Sequence, residues 1–229
     1  MTCFGPFEGC PDEDNPSQLV AEQLNNSKII VNDNTSASIF STVLNVTKES
    51  ISEFEAHKDS AVIIHMGQAG GETAMRIDVT AGNEYRNEEI IKGGPKILPT
   101  TVDLSRCFQG RPSSQILPEP KRDNNGTTRP HGATRYHDQI LEYHEEFSTK
   151  WYFNYMQGGI ECNGIYYNSL YKIRMGTMHD RMDEHKDLAS KKTLKPVIFI
   201  HLPCAKDISI EEQKSFIRHA VVEILGTLD

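Results

Sequence analysis

Residues 61–71, Ala-Val-Ile-Ile-His-Met-Gly-Gln-Ala-Gly-Gly, decide the fold class of this chain. A continuous apolar run that ends in glycines is typical of a strand buried on both faces of a parallel sheet. Residues 195–200, followed by His201, predict a second strand of this kind. Within the first run, His65 is expected to be a hydrogen-bonded core histidine, because buried histidines are more often structural than catalytic.

Predicted helices alternate with these strands. Asn15 before Pro16 is a typical helix start, Thr47 is a possible cap, and Ser209 with Glu212 forms a capping-box pattern. Helices are therefore expected over 16–25, 47–57, 136–147 and the segment after Ser209, and further short strands over 28–31 and 75–79. This alternation predicts a three-layer α/β/α sandwich with a mostly parallel central sheet.

The length of 229 residues favours one domain spanning 1–229. A stretch at about 109–135 is rich in Pro, Ser, Asn and Gly. We interpret it as a long polar surface loop within that domain, because too little sequence follows for an independent one.

The net charge of −8 and the pI of about 5.6 give a nucleic-acid partner no electrostatic support. We find neither a leader pattern nor an apolar run of membrane-spanning length, so a cytoplasmic protein without a membrane partner is expected. The five cysteines are odd in number and lack CxxC spacing, and the histidines lack HExxH spacing. Free thiols and no metal site are therefore expected.

One cysteine lies in a distinctive context. In residues 158–167, Gly-Gly-Ile-Glu-Cys-Asn-Gly-Ile-Tyr-Tyr, a glycine bend precedes Cys162 at a predicted helix start. The free N–H groups and the dipole of a helix N-terminus stabilise a thiolate, so we expect a reactive Cys162. His201, at the tip of its strand, is the candidate base. Two unrelated structural residues remain the alternative from spacing alone.

Four segments resemble, in order, the motifs of one family, pyroglutamyl peptidase I (pyrrolidone-carboxylate peptidase). They are CFGPFEGCPDEDNPSQLVAEQL (3–24), VIIHMGQAGG (62–71), GGIECNGIYYNSLY (158–171) and FIHLPCAKDISIEEQ (199–213). The resemblance implies a phosphorylase/hydrolase-like α/β fold. It also implies a cysteine peptidase that removes N-terminal pyroglutamate from peptides without cofactor or metal.

Carried over by position, Cys162 would be the nucleophile and His201 the base, acting through a thioester acyl-enzyme. The family's third member is a glutamate. Counting without gaps from Gly71 gives Asp78 instead, with Glu72 or Glu84 as substitutes if the register shifts.

The resemblance also implies substrate-binding residues. Phe4 and Phe7 match two phenylalanines that flank the pyroglutamyl lactam, Asn15 and Gln68 match positions near its amide, and Arg86 matches an arginine near the active site. Each has a structural alternative: core packing for the phenylalanines, a helix cap for Asn15 and a surface charge for Arg86.

Two features depart from the family pattern. The strand before Phe4 is expected to be truncated, and an aspartate stands at the usual glutamate position. Two hypotheses therefore remain, an active pyroglutamyl peptidase and a catalytically weak homologue that binds pyroglutamyl peptides or another partner. A cysteine hydrolase of other acyl substrates is a third, and the choice between monomer and homo-oligomer stays open.

Overall fold

The computed structural model describes residues 1–5, 15–57, 59–107, 151–155, 160–183 and 194–228. In chain order its elements are β1 (Thr2–Phe4), α1 (Pro16–Leu24), β2 (Lys28–Asn32), β3 (Thr35–Ser38), β4 (Thr42–Leu44), α2 (Lys48–Glu53), β5 (Ile63–Gln68), β6 (Met75–Asp78), β7 (Thr80–Gly82), β8 (Ile97–Pro99), α3 (Leu104–Cys107), β9 (Trp151–Asn154), α4 (Ile160–Asp183), β10 (Val197–Leu202) and α5 (Ile210–Gly226).

The central sheet has the strand order β4-β1-β5-β10-β6-β9. Neighbouring strands are parallel except at the β10/β6 pair, which is antiparallel. The two apolar runs of the sequence form β5 and β10, which lie side by side in the interior of the sheet and are almost wholly buried. The predicted mostly parallel α/β fold is confirmed.

Each face of the sheet carries its own apolar core. On one face, Ile64 and Ile200 pack with residues of α1 and α5, including Val20 and Ile217. On the other face, Phe199 packs with residues of α2 and α4. The alternation of side chains along β5 and β10 supplies both cores, as expected of strands covered on both sides.

Helix ends agree well with the sequence patterns. The side chain of Asn15 accepts a hydrogen bond from Ser17 N at the start of α1. The capping box of Ser209 and Glu212 is present at the start of α5. Thr47 caps α2 as expected, but this helix ends at Glu53 rather than at residue 57.

Three outcomes concern other predicted segments. β1 is short, as expected, yet it lies inside the sheet between β4 and β5. β2 forms as predicted but pairs with β3 in a separate hairpin. The loop at 109–135 and the helix at 136–147 lie outside the described residues.

None of the described helices has the length and apolarity needed to cross a membrane. No group of three or more His, Cys, Asp or Glu side chains in the part of the chain that the structure describes could hold a metal ion.

Candidate active site

Strand register brings the predicted catalytic residues to one face of the sheet. His201 on β10 pairs with Gly67 on β5 and with Arg76 on β6, and Arg76 in turn pairs with Tyr152 on β9. Register partners point to the same face of a sheet. One row therefore runs across that face from Gly67 through His201 and Arg76 to Tyr152, underneath α4.

Helix α4 adds Cys162 to this row. A β-carbon built on Gly67 would lie only 2.9 Å from Cys162 Sγ. The sulfur thus occupies the side-chain space of Gly67, which is the strand neighbour of His201 on the same face. A residue without a side chain at position 67 is what allows the first turn of α4 to approach the sheet this closely.

Asn163 fixes the start of α4. Its Nδ2 donates to the carbonyl oxygens of Gly82 (3.0 Å) and Glu84 (2.9 Å), and its Oδ1 accepts from Gly82 N at 2.8 Å. The side chain is buried. These three bonds anchor the turn that carries Cys162 to the segment that follows Asp78.

Asp78 is the acid that meets the histidine. Its Oδ2 lies 3.1 Å from His201 Nδ1, and both side chains are almost completely buried. Its Oδ1 accepts hydrogen bonds from Asn154 Nδ2 at 2.7 Å and from Arg76 Nε at 3.1 Å. Tyr166 of α4 also donates to the backbone oxygen of Asp78 at 3.0 Å. The geometry therefore favours the register without gaps over Glu72 or Glu84.

The protonation states follow from burial and charge. Burial alone would raise the pKa of Asp78, but the interactions with His201 and the positive charge of Arg76 outweigh it and the pKa is lowered. Burial, reinforced by Arg76, lowers the pKa of His201. The resting site is thus an aspartate carboxylate, a guanidinium and a neutral imidazole.

The expected thiolate is not supported. Burial, followed by the negative charge of Asp78, raises the pKa of Cys162 to about 12, against the smaller opposing effect of Arg76. The prediction of a thiolate stabilised by the helix start was wrong, because it considered the local helix and neither the covering protein nor the nearby carboxylate. At neutral pH Cys162 is a thiol whose proton must be removed.

His65 lies two residues before Gly67 on the same face. Its Nδ1 is 2.6 Å from Thr2 Oγ1 and its Nε2 is 2.9 Å from Ser169 Oγ. Burial lowers its pKa to about 3, so the ring is neutral. The prediction of a hydrogen-bonded core histidine is confirmed.

Phe4 and Asn15 lie together at the carboxyl end of β1. Phe4 is buried, on the same face as Cys162, in the apolar cluster that includes Phe199. Asn15 Nδ2 donates to the carbonyls of Phe4 (2.9 Å) and Gly5 (3.1 Å), while its Oδ1 accepts from the Ser17 N–H and hydroxyl. Because all its hydrogen-bonding positions are used internally, Asn15 can act on a ligand only by holding this loop.

Two further predicted binding residues lie near the site. Gln68 ends β5, and its Nε2 donates to Cys204 Sγ at 3.4 Å. The exposed Arg86 pairs with Glu161, the neighbour of Cys162, at 3.1 Å and lies over the Tyr85 ring. Phe7 lies outside the described residues.

Sequence reasoning missed Arg76, Asn154, Asn163 and the space above Gly67. The alternation in Met75–Asp78 was a usable signal, because it places Arg76 on the face of Asp78. Asn154 gave no such signal, since its contact with Asp78 depends on the pairing of β9 with β6.

Comparison with known proteins points to one family of similar proteins. Residues 1–90 match the family model described as pyroglutamyl peptidase. The resemblance to the pyroglutamyl peptidase family is confirmed. The matched part includes Asp78 and ends before Cys162 and His201. No curated protein sequence matches the chain significantly.

Solved structures from the pyroglutamyl peptidase family are similar to the whole chain. A mutant pyrrolidone carboxyl peptidase from the hyperthermophile Pyrococcus furiosus has a TM-score of 0.66 and 20% identity, covering 100% of this chain and 98% of that one. Pyroglutamyl peptidase I from Bacillus amyloliquefaciens gives 0.60 and 19%, covering 97% and 92%. The pyrrolidone carboxyl peptidase from Thermococcus litoralis gives 0.61 and 17%, covering 99% and 92%. At these identities the similarity is one of fold.

Proposed function

We propose that this protein is a cysteine peptidase that hydrolyses the N-terminal pyroglutamyl residue from peptides, with Cys162 as nucleophile, His201 as base and Asp78 as the acid. The observation that carries the proposal is the arrangement on one sheet face: Cys162 Sγ at the side-chain position of Gly67, beside His201, whose Nδ1 is 3.1 Å from Asp78 Oδ2. The family resemblance supports the substrate class.

In the proposed reaction, His201 takes the thiol proton of Cys162 and the sulfur attacks the pyroglutamyl carbonyl carbon. The C–N bond then breaks, the amine leaves with the proton from His201, and a thioester remains on Cys162. Water, deprotonated by His201, attacks the thioester. Pyroglutamate departs and the sulfur regains its proton.

Asp78 has a specific task in this scheme. His201 becomes positively charged when it accepts the thiol proton, and a buried imidazolium is costly without a partner. The carboxylate of Asp78, kept ionised beside Arg76, would stabilise that charge. This stabilisation is important because Cys162 starts as a thiol with a raised pKa, so its proton is difficult to transfer to His201.

The direct test is release of a fluorescent amine from a pyroglutamyl-aminocoumarin conjugate. The wild-type protein should release it, and Cys162→Ala should not. Cys107→Ala is the matched control, because Cys107 is a free cysteine buried in the core on the opposite face. A prolyl-aminocoumarin conjugate, which lacks the lactam carbonyl, should be a poor substrate. Folded wild-type protein that releases no amine would overturn the proposal.

A further inference from the structure

Arg76 contacts both members of the acid–base pair. Its side chain is only 14% exposed. Its Nε donates to Asp78 Oδ1 at 3.1 Å, and its Nη2 lies 2.9 Å from His201 Nδ1. The antiparallel register of β6 and β10 sets Arg76 directly opposite His201.

The two contacts of His201 Nδ1 require opposite protonation states of this nitrogen. A guanidinium can only donate hydrogen bonds, so the 2.9 Å contact with Arg76 requires Nδ1 to be an unprotonated acceptor. A carboxylate can only accept, so the 3.1 Å contact with Asp78 is a hydrogen bond only if Nδ1 carries a proton. One ring nitrogen cannot satisfy both partners at once.

We propose that Arg76 is a positioning residue that holds the resting His201 ring with Nδ1 as the acceptor and the ring proton on Nε2. The shorter contact is the one with Arg76, and the alternative would set an Nδ1 proton against a guanidinium N–H. In this arrangement Asp78 Oδ1 keeps its hydrogen bonds from Asn154 and Arg76, and Oδ2 is the oxygen that faces the unprotonated Nδ1 at 3.1 Å.

This arrangement restrains the base; its catalytic consequence rests on the function proposed above. His201 can accept the thiol proton at Nε2 only after that nitrogen loses its own proton and Nδ1 gains one facing Asp78. The change is an exchange of tautomers, with no net gain or loss of protons. Arg76 therefore stabilises a form of the site that is one step away from the reactive one.

The charged and titratable groups around His201 define what a substitution would change. Arg76 and Asp78 face it from β6, Cys162 from α4 and Glu72 from the turn after β5, with Tyr152 beside Arg76 on β9. Arg76 is the cation among them, and it favours both a neutral His201 and an ionised Cys162. Replacing it with a neutral residue should raise the pKa of both groups.

Nitrogen-15 NMR of histidine-labelled protein tests the proposal without any substrate, because it distinguishes protonated from unprotonated ring nitrogens. His201→Gln identifies the signals. In wild-type protein at pH 7 we expect a neutral His201 with a proton on Nε2. In Arg76→Met the proton should move to Nδ1 and the His201 pKa should rise, as expected when a neighbouring cation is removed.

Arg174→Met is the matched control, since Arg174 of α4 donates to the carbonyl oxygens of Leu170 and Pro99. It should leave the His201 tautomer unchanged. A proton on Nδ1 in the wild-type protein would overturn the proposal, as would identical His201 spectra in wild type and Arg76→Met. Should Arg76→Met fail to fold, the wild-type tautomer decides by itself.

The pH profile of kcat/KM gives a second readout. Loss of a nearby cation raises the pKa of His201, so the acid limb of the profile for Arg76→Met should move to higher pH. A structural role alone would lower the rate and leave the acid limb in place. If no variant turns over substrate, the proposed function fails while the NMR result still decides the role of Arg76.

Discussion

The sulfur of Cys162 fills the space that a side chain on Gly67 would occupy, with 2.9 Å between Sγ and the position of the absent β-carbon. Phe199 Cζ lies 3.0 Å from the same point. The position of the candidate nucleophile therefore depends on the absence of a side chain at Gly67, on the strand next to that of His201.

Gly67→Ala should displace Cys162 and abolish peptidase activity. The added methyl group meets two neighbours at 3.0 Å or less, and overpacking of this kind costs about 1–3 kcal/mol. Chemical unfolding would measure that cost and the coumarin assay the rate. Gly176→Ala in the same helix as Cys162 is the control: nothing lies within 4 Å of its β-carbon, so stability should not fall. Full activity in Gly67→Ala would contradict this view of the site.

Cys162 should react slowly with iodoacetamide at neutral pH. With a pKa raised to about 12, only a minute fraction is thiolate at pH 7, and the alkylation rate should rise about tenfold per pH unit through pH 10. Mass spectrometry of the modified peptide follows the reaction at this cysteine alone. A rate that levels off below pH 8 would reveal a thiolate already present in the resting site.

Asp78→Asn should reduce kcat by about 10²–10⁴-fold, because the neutral amide cannot stabilise the imidazolium that forms when His201 accepts the thiol proton. Asp78→Glu keeps the charge but adds a methylene in a site where Asn154 and Arg76 already fit the shorter carboxylate. We expect it to lower activity as well. Higher activity in Asp78→Glu would mean that the aspartate is a defect relative to the family's glutamate.

His65 should make the protein less stable as the pH falls below 6.5. Its folded pKa of about 3 lies below the ordinary 6.5, so the unfolded chain binds a proton that the native state does not. Stability from this group is complete above pH 6.5 and is lost progressively down to about pH 3, by roughly 5 kcal/mol at 1.36 kcal/mol per pKa unit. Urea unfolding at pH 7 and pH 5 should show the loss, and His65→Gln should reduce the difference. The lowered pKa of His201 also makes the protein less stable at lower pH, so part of the stability difference should remain in His65→Gln.

Asn163→Ala should lower the rate more than its loss of stability explains. It removes three buried hydrogen bonds that locate the first turn of α4, at a cost of about 1–3 kcal/mol, and misplaced nucleophiles lose up to about 100-fold in rate. Asn168→Ala is the matched control, since it removes a buried bond to Ile51 O from a later turn of the same helix. Equal loss of activity in both variants would argue against a positioning role for Asn163.

The parts that the sequence predicted correctly depend on local pattern. The apolar runs ending in Gly67 and His201 identified β5 and β10, and the Asn-Pro and Ser-x-x-Glu patterns located two helix starts. Counting along the chain also selected Asp78, whose carboxylate lies 3.1 Å from His201 Nδ1.

The parts that it missed depend on pairing between distant segments. Arg76 was not among the predicted site residues, because only the antiparallel register of β6 with β10 places it against His201. The prediction of a Cys162 thiolate was wrong for the same reason. A helix start can be recognised in the sequence, whereas the burial of Cys162 and its proximity to the Asp78 carboxylate depend on other elements of the fold.

The hydrogen bonds of His65 have a mechanical consequence. Thr2 belongs to β1, His65 to β5 and Ser169 to α4, about two helical turns after Cys162. The chain of three side chains opposes any sliding of α4 along its own axis over the sheet. The position of the Cys162 sulfur along the sheet is thus set partly by the hydroxyl of Thr2. Thr2 lies on β1, on the other side of β5 from the strand that carries His201.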